Sequence, residues 1–164
     1  MCGIVGLFLK DKALEPELGR LLSEMLVTMT GRGPDSAGIA IYAHGVDCRG
    51  KITVQSKDPD ADFAALEADL SDALGEGVEV AVKSTHAVIT LPENRVAEAR
   101  TAAYQLRPGV TVMSAGSTVE IFKEVGLPKD VAARFDITKM AGRHGIGHTR
   151  MATESAVTTL GAHP

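Results

Sequence analysis

The chain has 164 residues, 45% of them hydrophobic and 23% charged, with a net charge of −4. That balance describes a globular protein able to bury its own core and excludes a disordered chain. It leaves no basic footprint for nucleic acid and no charge bias toward an anionic membrane.

In chain order, Gly3–Leu9 is a continuous apolar run and predicts a buried strand starting at the N-terminus. From Leu14 to Thr30 the apolar residues Leu14, Leu18, Leu21, Leu22, Met25, Leu26 and Met29 recur at helical intervals. The turn chemistry of Gly31-Arg32-Gly33-Pro34-Asp35 ends that helix. Ala37–Ala43 predicts a second buried strand. Gly45–Gly50 is a turn and Lys51–Ser56 alternates, so the two strands read as a hairpin. Composition then shifts at Lys57-Asp58-Pro59-Asp60. A helix over Asp62–Leu74 follows, then strands over Val78–Thr85 and Ala87–Leu91, and a helix over Glu93–Leu106 behind Pro92. Val110–Ala115 and Thr118–Lys123 read as another hairpin, and Lys129–Arg134 as a short helix. The stretch from about 58 to 135 is thereby a helix–strand–strand–helix–strand–strand unit, a compact α+β insertion. Gly142–Thr149 returns to glycine-rich apolar sequence, where Gly145 and Gly147 predict a close approach of backbone to something.

Two cysteines, Cys2 and Cys48, are too few for a disulfide scaffold and fit a reducing compartment. No apolar run approaches the ~18 residues of a membrane helix. No cationic run precedes a leader-like segment. A cytoplasmic protein is the default expectation. His44, His86, His144, His148 and His163 lack metal-ligand spacing, and no phosphate loop or dinucleotide fingerprint is present, so no cofactor is expected.

Three blocks carry chemistry. The first is Met1-Cys2-Gly3. Methionine is removed when the next side chain is small, which would give Cys2 both a thiol and a free α-amine. The thiolate is the reactive form, and an α-amine titrates at about 7.7–8.0, so the amine can serve as base for its own thiol. A strand beginning at Gly3 would hold that nucleophile at a rigid sheet end. The second block is Arg32-Gly33-Pro34-Asp35-Ser36-Ala37-Gly38, alone a polar turn between helix and strand. The third is Gly147-His148-Thr149-Arg150-Met151-Ala152-Thr153. An Arg beside a Thr suits a carboxylate, which guanidinium binds bidentately while the hydroxyl adds a donor. Each block alone reads better as ordinary structure: a small buried Cys, a turn, a surface Arg.

Together, and with Ala162-His163-Pro164 close behind, the blocks resemble the class II glutamine amidotransferases. These are N-terminal-nucleophile hydrolases with an α+β, four-layer αββα fold. The match covers about residues 2–56 and 141–164. The stretch 58–135 has no counterpart in the better-known members and is similar to small stand-alone subunits of glutamate synthase-type or N-methylglutamate synthase-type complexes. Residues 1–164 would then be the N-terminal portion of a type 2 amidotransferase domain.

The resemblance implies roles. Cys2 is the nucleophile that attacks the side-chain amide of L-glutamine, giving a glutamyl thioester and ammonia. Arg150 binds the substrate α-carboxylate and Thr153 supports it. Arg32 and Gly33 order the site, with Arg32 under the nucleophile, and Asp35 holds the loop. It implies no metal and no other cofactor, and it implies a partner: an ammonia-accepting synthase in a hetero-oligomer. Three departures stand out. Met151 replaces an aromatic, Glu154 follows Thr153, and the family's Asn-Gly oxyanion pair is absent, since Asn94, the only Asn, precedes Arg95. Losing one oxyanion donor costs about 100- to 1000-fold, so these residues alone are expected to be poorly active. Two other classes stay open: an acylase of the same nucleophile type, which the carboxylate clamp argues against, and a catalytically degenerate amidotransferase-like subunit that regulates or scaffolds.

Overall fold

The computed structural model describes residues 2–43, 48–152 and 157–164. In chain order the strands and α-helices are β1 (Gly3–Phe8), α1 (Leu18–Thr28), β2 (Ser36–Tyr42), β3 (Arg49–Gln55), α2 (Pro59–Asp62), α3 (Leu66–Leu74), β4 (Glu79–Lys83), β5 (His86–Pro92), α4 (Val96–Leu106), β6 (Thr111–Gly116), β7 (Val119–Val125), α5 (Pro128–Arg134) and β8 (His144–Arg150). This is an α+β protein with two four-stranded sheets. It divides into two compact units, Met1–His44 with Ile121–Pro164, and the continuous stretch Gly45–Glu120.

The first unit carries the sheet β1-β8-β2-β7. β8 lies antiparallel between β1 and β2, pairing Gly3 with Thr149 on one side and Ala37 with Thr149 on the other. One face of this sheet is closed by α1, whose Leu18, Leu22 and Leu26 form a fully buried stripe at spacing four. The predicted close approach is found here. A methyl group added at Gly147 would lie 2.8 Å from both Leu26 Cδ1 and Val5 Cγ2, and one at Gly145 would lie 2.8 Å from Leu22 Cδ2. The glycines let the helix lie close on the middle strand. The expected burial of β1 holds for that face only: Val5 is buried, whereas Ile4 is 69% and Phe8 53% exposed on the other.

The helix itself begins later than its apolar spacing predicts. Lys12–Glu17 is a 3-10 turn capped by Asp11, and Pro16 lies inside it. Proline has no N–H and its ring clashes with the carbonyl four residues back, which stops an α-helix from running through. At the new start, the Gly19 N–H donates to Met140 O at 2.9 Å, satisfying a donor that a first helical turn cannot satisfy itself. A methyl group at Gly19 would stand 1.9 Å from Ile137 O, a backbone atom that cannot swing away. Gly19→Ala is expected to destabilise the full-length protein by about 3 kcal/mol, against less than about 1 kcal/mol for Gly31→Ala, where the space is open. Urea unfolding midpoints of the two variants check this.

The second unit carries the sheet β4-β5-β3-β6, with every strand pair antiparallel. Ile52, Val54, Ala87, Ile89 and Leu91 from its strands meet Leu66, Leu70, Leu74, Ala99 and Ala103 from α3 and α4 in one buried cluster. The helix expected over Asp62–Leu74 is broken, with Ala65 in the left-handed region at φ 53°. Arg107 occupies the carbonyls freed by that break, donating to Asp62 O and Ala64 O, each at 2.8 Å.

Neither expected hairpin forms. β2 and β3 belong to different sheets, as do β6 and β7. β3 pairs with β5 and β6 instead, so the compact second unit begins at Gly45 and ends at Glu120, whereas composition sets its bounds at about 58 and 135. The helix expected at Lys129–Arg134 is present as α5, in the first unit, where Phe135 behind it meets Phe122 in a tilted ring pair with centres 5.3 Å apart. Among the described residues no helix is long and apolar enough to cross a membrane, and no group of three or more His, Cys, Asp or Glu side chains is placed to hold a metal ion.

Candidate functional site

Strand alternation decides what shares the face opposite α1. On β8, Gly145, Gly147 and Thr149 point toward α1, leaving His144, Ile146, His148 and Arg150 on the other side. On β1 the same rule puts Cys2, Ile4, Gly6 and Phe8 on that side. Cys2 immediately precedes Gly3, the partner of Thr149, so it ends its strand beside Arg150. A cavity of about 340 Å³ opens there, lined by Cys2, Ile4, Ile146, His148, Arg150, His163 and Pro164. The first and third blocks, from opposite ends of the chain, meet at one edge of one sheet, and the Ala162-His163-Pro164 segment joins them there.

Cys2 is exposed and not in a disulfide. Gly3 beside it is buried, and a methyl group there would lie 2.9 Å from Thr149 Oγ1 and 3.1 Å from Met29 Cβ, so only glycine keeps the strand end seated. Arg150 donates from Nη1 to Gly161 O at 2.7 Å, which anchors one edge of its guanidinium plane. His148 lies two residues before Arg150 on β8, opposite Ile4 of β1. Burial holds its imidazole below the usual histidine range, with the nearby His163 and Arg150 adding to the effect. Its ring meets that of His163 edge-on at 5.1 Å, and its Nδ1 is buried with no hydrogen-bond partner among the described residues.

The second block supports this edge from behind. Gly33 is buried, and a methyl group there would lie 2.5 Å from Arg150 N and from Thr149 C. The turn thus rests directly on the backbone that carries Arg150. Asp35 ties the far side: its N–H donates to Arg150 O at 3.1 Å, and its Oδ2 accepts from Ala152 N–H at 2.8 Å. Arg32 lies exposed in the 3-10 turn Thr30–Arg32 and is not among the residues lining the cavity. Thr153 and Glu154 fall outside the described residues.

Sequence reasoning passed over His148 and His163 as site residues. The signal for His148 was available: it is two residues from Arg150 in a strand, hence on the same face. His163 had only its neighbourhood in sequence, because nothing local says where a segment without regular structure will lie.

Over its whole length the chain is 64% identical to a Rhizobium meliloti (strain 1021) protein named glutamine amidotransferase-like protein GlxB, of which it covers 54%. It is 32% identical over 172 aligned positions to a putative glutamine amidotransferase of Methanothermobacter thermautotrophicus, of which it covers 56%. The chain is homologous to glutamine amidotransferase-like proteins. It spans about half the length of these curated relatives. No protein-family model matches it.

Proposed function

We propose that this chain supplies the nucleophile half of a class II glutamine amidotransferase site, with Cys2 as its nucleophile. The observation that carries the reading is the cavity shared by Cys2 and Arg150 at one sheet edge. Once Met1 is removed, the α-amine of Cys2 takes the thiol proton. The sulfur attacks the side-chain carbonyl carbon of L-glutamine, and the C–N bond breaks as ammonia leaves with a proton. The resulting thioester is hydrolysed by water to glutamate, freeing the thiol. Arg150 receives the substrate α-carboxylate, and Thr153 adds a hydroxyl. Gly33 and Arg32 order the turn behind them. Ammonia passes to a partner synthase in a cytoplasmic hetero-oligomer, with no metal or other cofactor in this half-reaction.

The oxyanion donors that this mechanism needs belong, on this reading, to the part of the relatives' length that the chain does not span. The same applies to the second sheet of an αββα arrangement. The apolar, exposed side chains of Ile4, Phe8 and Ile146 on the Cys2 face support it, because such a face is stable in water only when something covers it.

The test is intact mass of the full-length protein before and after 6-diazo-5-oxo-norleucine, an electrophilic mimic of glutamine. The expected result is loss of the Met1 mass and one adduct, mapped to Cys2. Retained Met1 with no adduct would leave Cys2 without its base and favour a regulatory or scaffolding subunit.

A further inference from the structure

The last described segment of the first unit, residues 157–164, has no regular secondary structure, yet it walls the Cys2 cavity through His163 and Pro164 and anchors Arg150 through Gly161 O. What holds this segment in place is visible on β7, the edge strand of the same sheet. Lys123 Nζ donates to two of its carbonyls, Leu160 O at 3.3 Å and Ala162 O at 3.0 Å. Thr159 Oγ1 donates to Glu124 Oε1 at 2.5 Å. Three successive carbonyls, of residues 160, 161 and 162, are therefore held in turn by Lys123, Arg150 and Lys123.

From this arrangement we infer that Lys123, with the Glu124–Thr159 bond beside it, is a positioning residue for substrate binding: it latches the 159–162 turn so that Gly161 O fixes the orientation of Arg150. The inference rests on the carboxylate-binding role of Arg150 given above. Guanidinium is planar, so fixing the nitrogen nearest Gly161 O fixes the direction of the others. Gly161 leaves no slack, because a methyl group there would lie 2.3 Å from Arg150 Nη1. Among the described residues the turn's other hydrogen bonds are local, Gly161 N–H to Thr158 Oγ1 at 3.1 Å and Ala162 N–H to Thr159 O at 3.2 Å, while His163 behind it packs on β2, where a methyl group at Gly38 would lie 1.9 Å from His163 O. Burial holds the Lys123 amine below the usual lysine range. Neither Lys123 nor Glu124 is among the residues that line the cavity.

The experiment compares full-length wild type, Lys123→Met, Lys123→Arg, Thr159→Val and Arg150→Ala in glutamine hydrolysis, together with the rate at which iodoacetamide alkylates Cys2. Iodoacetamide has no α-carboxylate and does not need the clamp. Lys123→Met is expected to raise KM for glutamine about tenfold with kcat changed less than threefold and alkylation unchanged. Lys123→Arg should recover most of the KM, and Thr159→Val should raise it in the same direction should Lys123→Met fail to fold. A KM unmoved by Lys123→Met or Thr159→Val, while Arg150→Ala raises it, overturns the latch and leaves the carboxylate reading standing. A KM unmoved by Arg150→Ala overturns both, as does a wild-type protein that neither hydrolyses nor binds glutamine.

Discussion

Cys2→Ala in the full-length protein is expected to lower ammonia release from glutamine by at least about ten-thousandfold, while the variant still binds glutamine. The size follows from what is removed. A thiol that forms a covalent intermediate splits one difficult step into two easier ones, and without it the remaining groups position a substrate that nothing attacks. Binding should survive because the residue given the carboxylate, Arg150, sits on β8 and is anchored by Gly161 O, independently of the sulfur. The removed atom is at an exposed strand end, so the fold loses no buried volume. Coupled ammonia assay and calorimetry with glutamine read the two halves separately. Turnover kept by Cys2→Ala would sink the nucleophile assignment. No turnover in the wild type either, with binding intact, would point to the degenerate regulatory subunit.

Cys2 shows how far the sequence goes. Cys2 owes its meaning to position: it is second in the chain, before a glycine, at the head of an apolar run. These are local facts, and the strand they predict is β1. Local signals also give α1, α4 and α5 within a turn or so, because amphipathic spacing and proline reflect contacts a few residues away. They fail where partners are distant. β2 is a short apolar run and the stretch behind β3 alternates, with a turn-like segment between them, which satisfies the local rules for a hairpin, yet β2 finds β8 and β3 finds β5 and β6. Pairing is settled by which apolar face must be covered and by which helix, and a single sequence does not display that. The glycines of β8 were legible as a close approach, but their partner, the Leu22–Leu26 edge of α1, was not.

The site follows the same division. Cys2 and Arg150 were legible as chemistry, and the structure places both on one cavity. Gly33 was legible only as part of a block, and its contact with the β8 backbone at Thr149 and Arg150 gives it a physical reason. Arg32 was expected under the nucleophile, and it lies on the exposed turn outside the cavity lining. Lys123 carried no signal at all, because the two carbonyls it holds lie more than thirty residues later.

Arg150→Ala is expected to raise KM for glutamine about a hundredfold in the full-length protein, with kcat falling much less, and Arg150→Lys is expected to recover only part of the loss. A carboxylate bound by guanidinium gains two parallel charge-assisted hydrogen bonds, and truncating one partner of such a pair costs about 2–5 kcal/mol. Lysine restores the charge as a point but not the fork, and it cannot both hold Gly161 O and present a flat pair of donors. The loss should fall mainly on KM because the carboxylate is remote from the reacting amide and is held equally in ground and transition states. The comparison substrate makes the assignment specific. A γ-amide without the α-carboxylate should be hydrolysed poorly by the wild type, and Arg150→Ala should not weaken it further. If the variant loses as much activity on that amide as on glutamine, Arg150 is holding the cavity together through Gly161 and is not reading the carboxylate. In that case an acylase of the same nucleophile type becomes the better account of a Cys2 that still reacts.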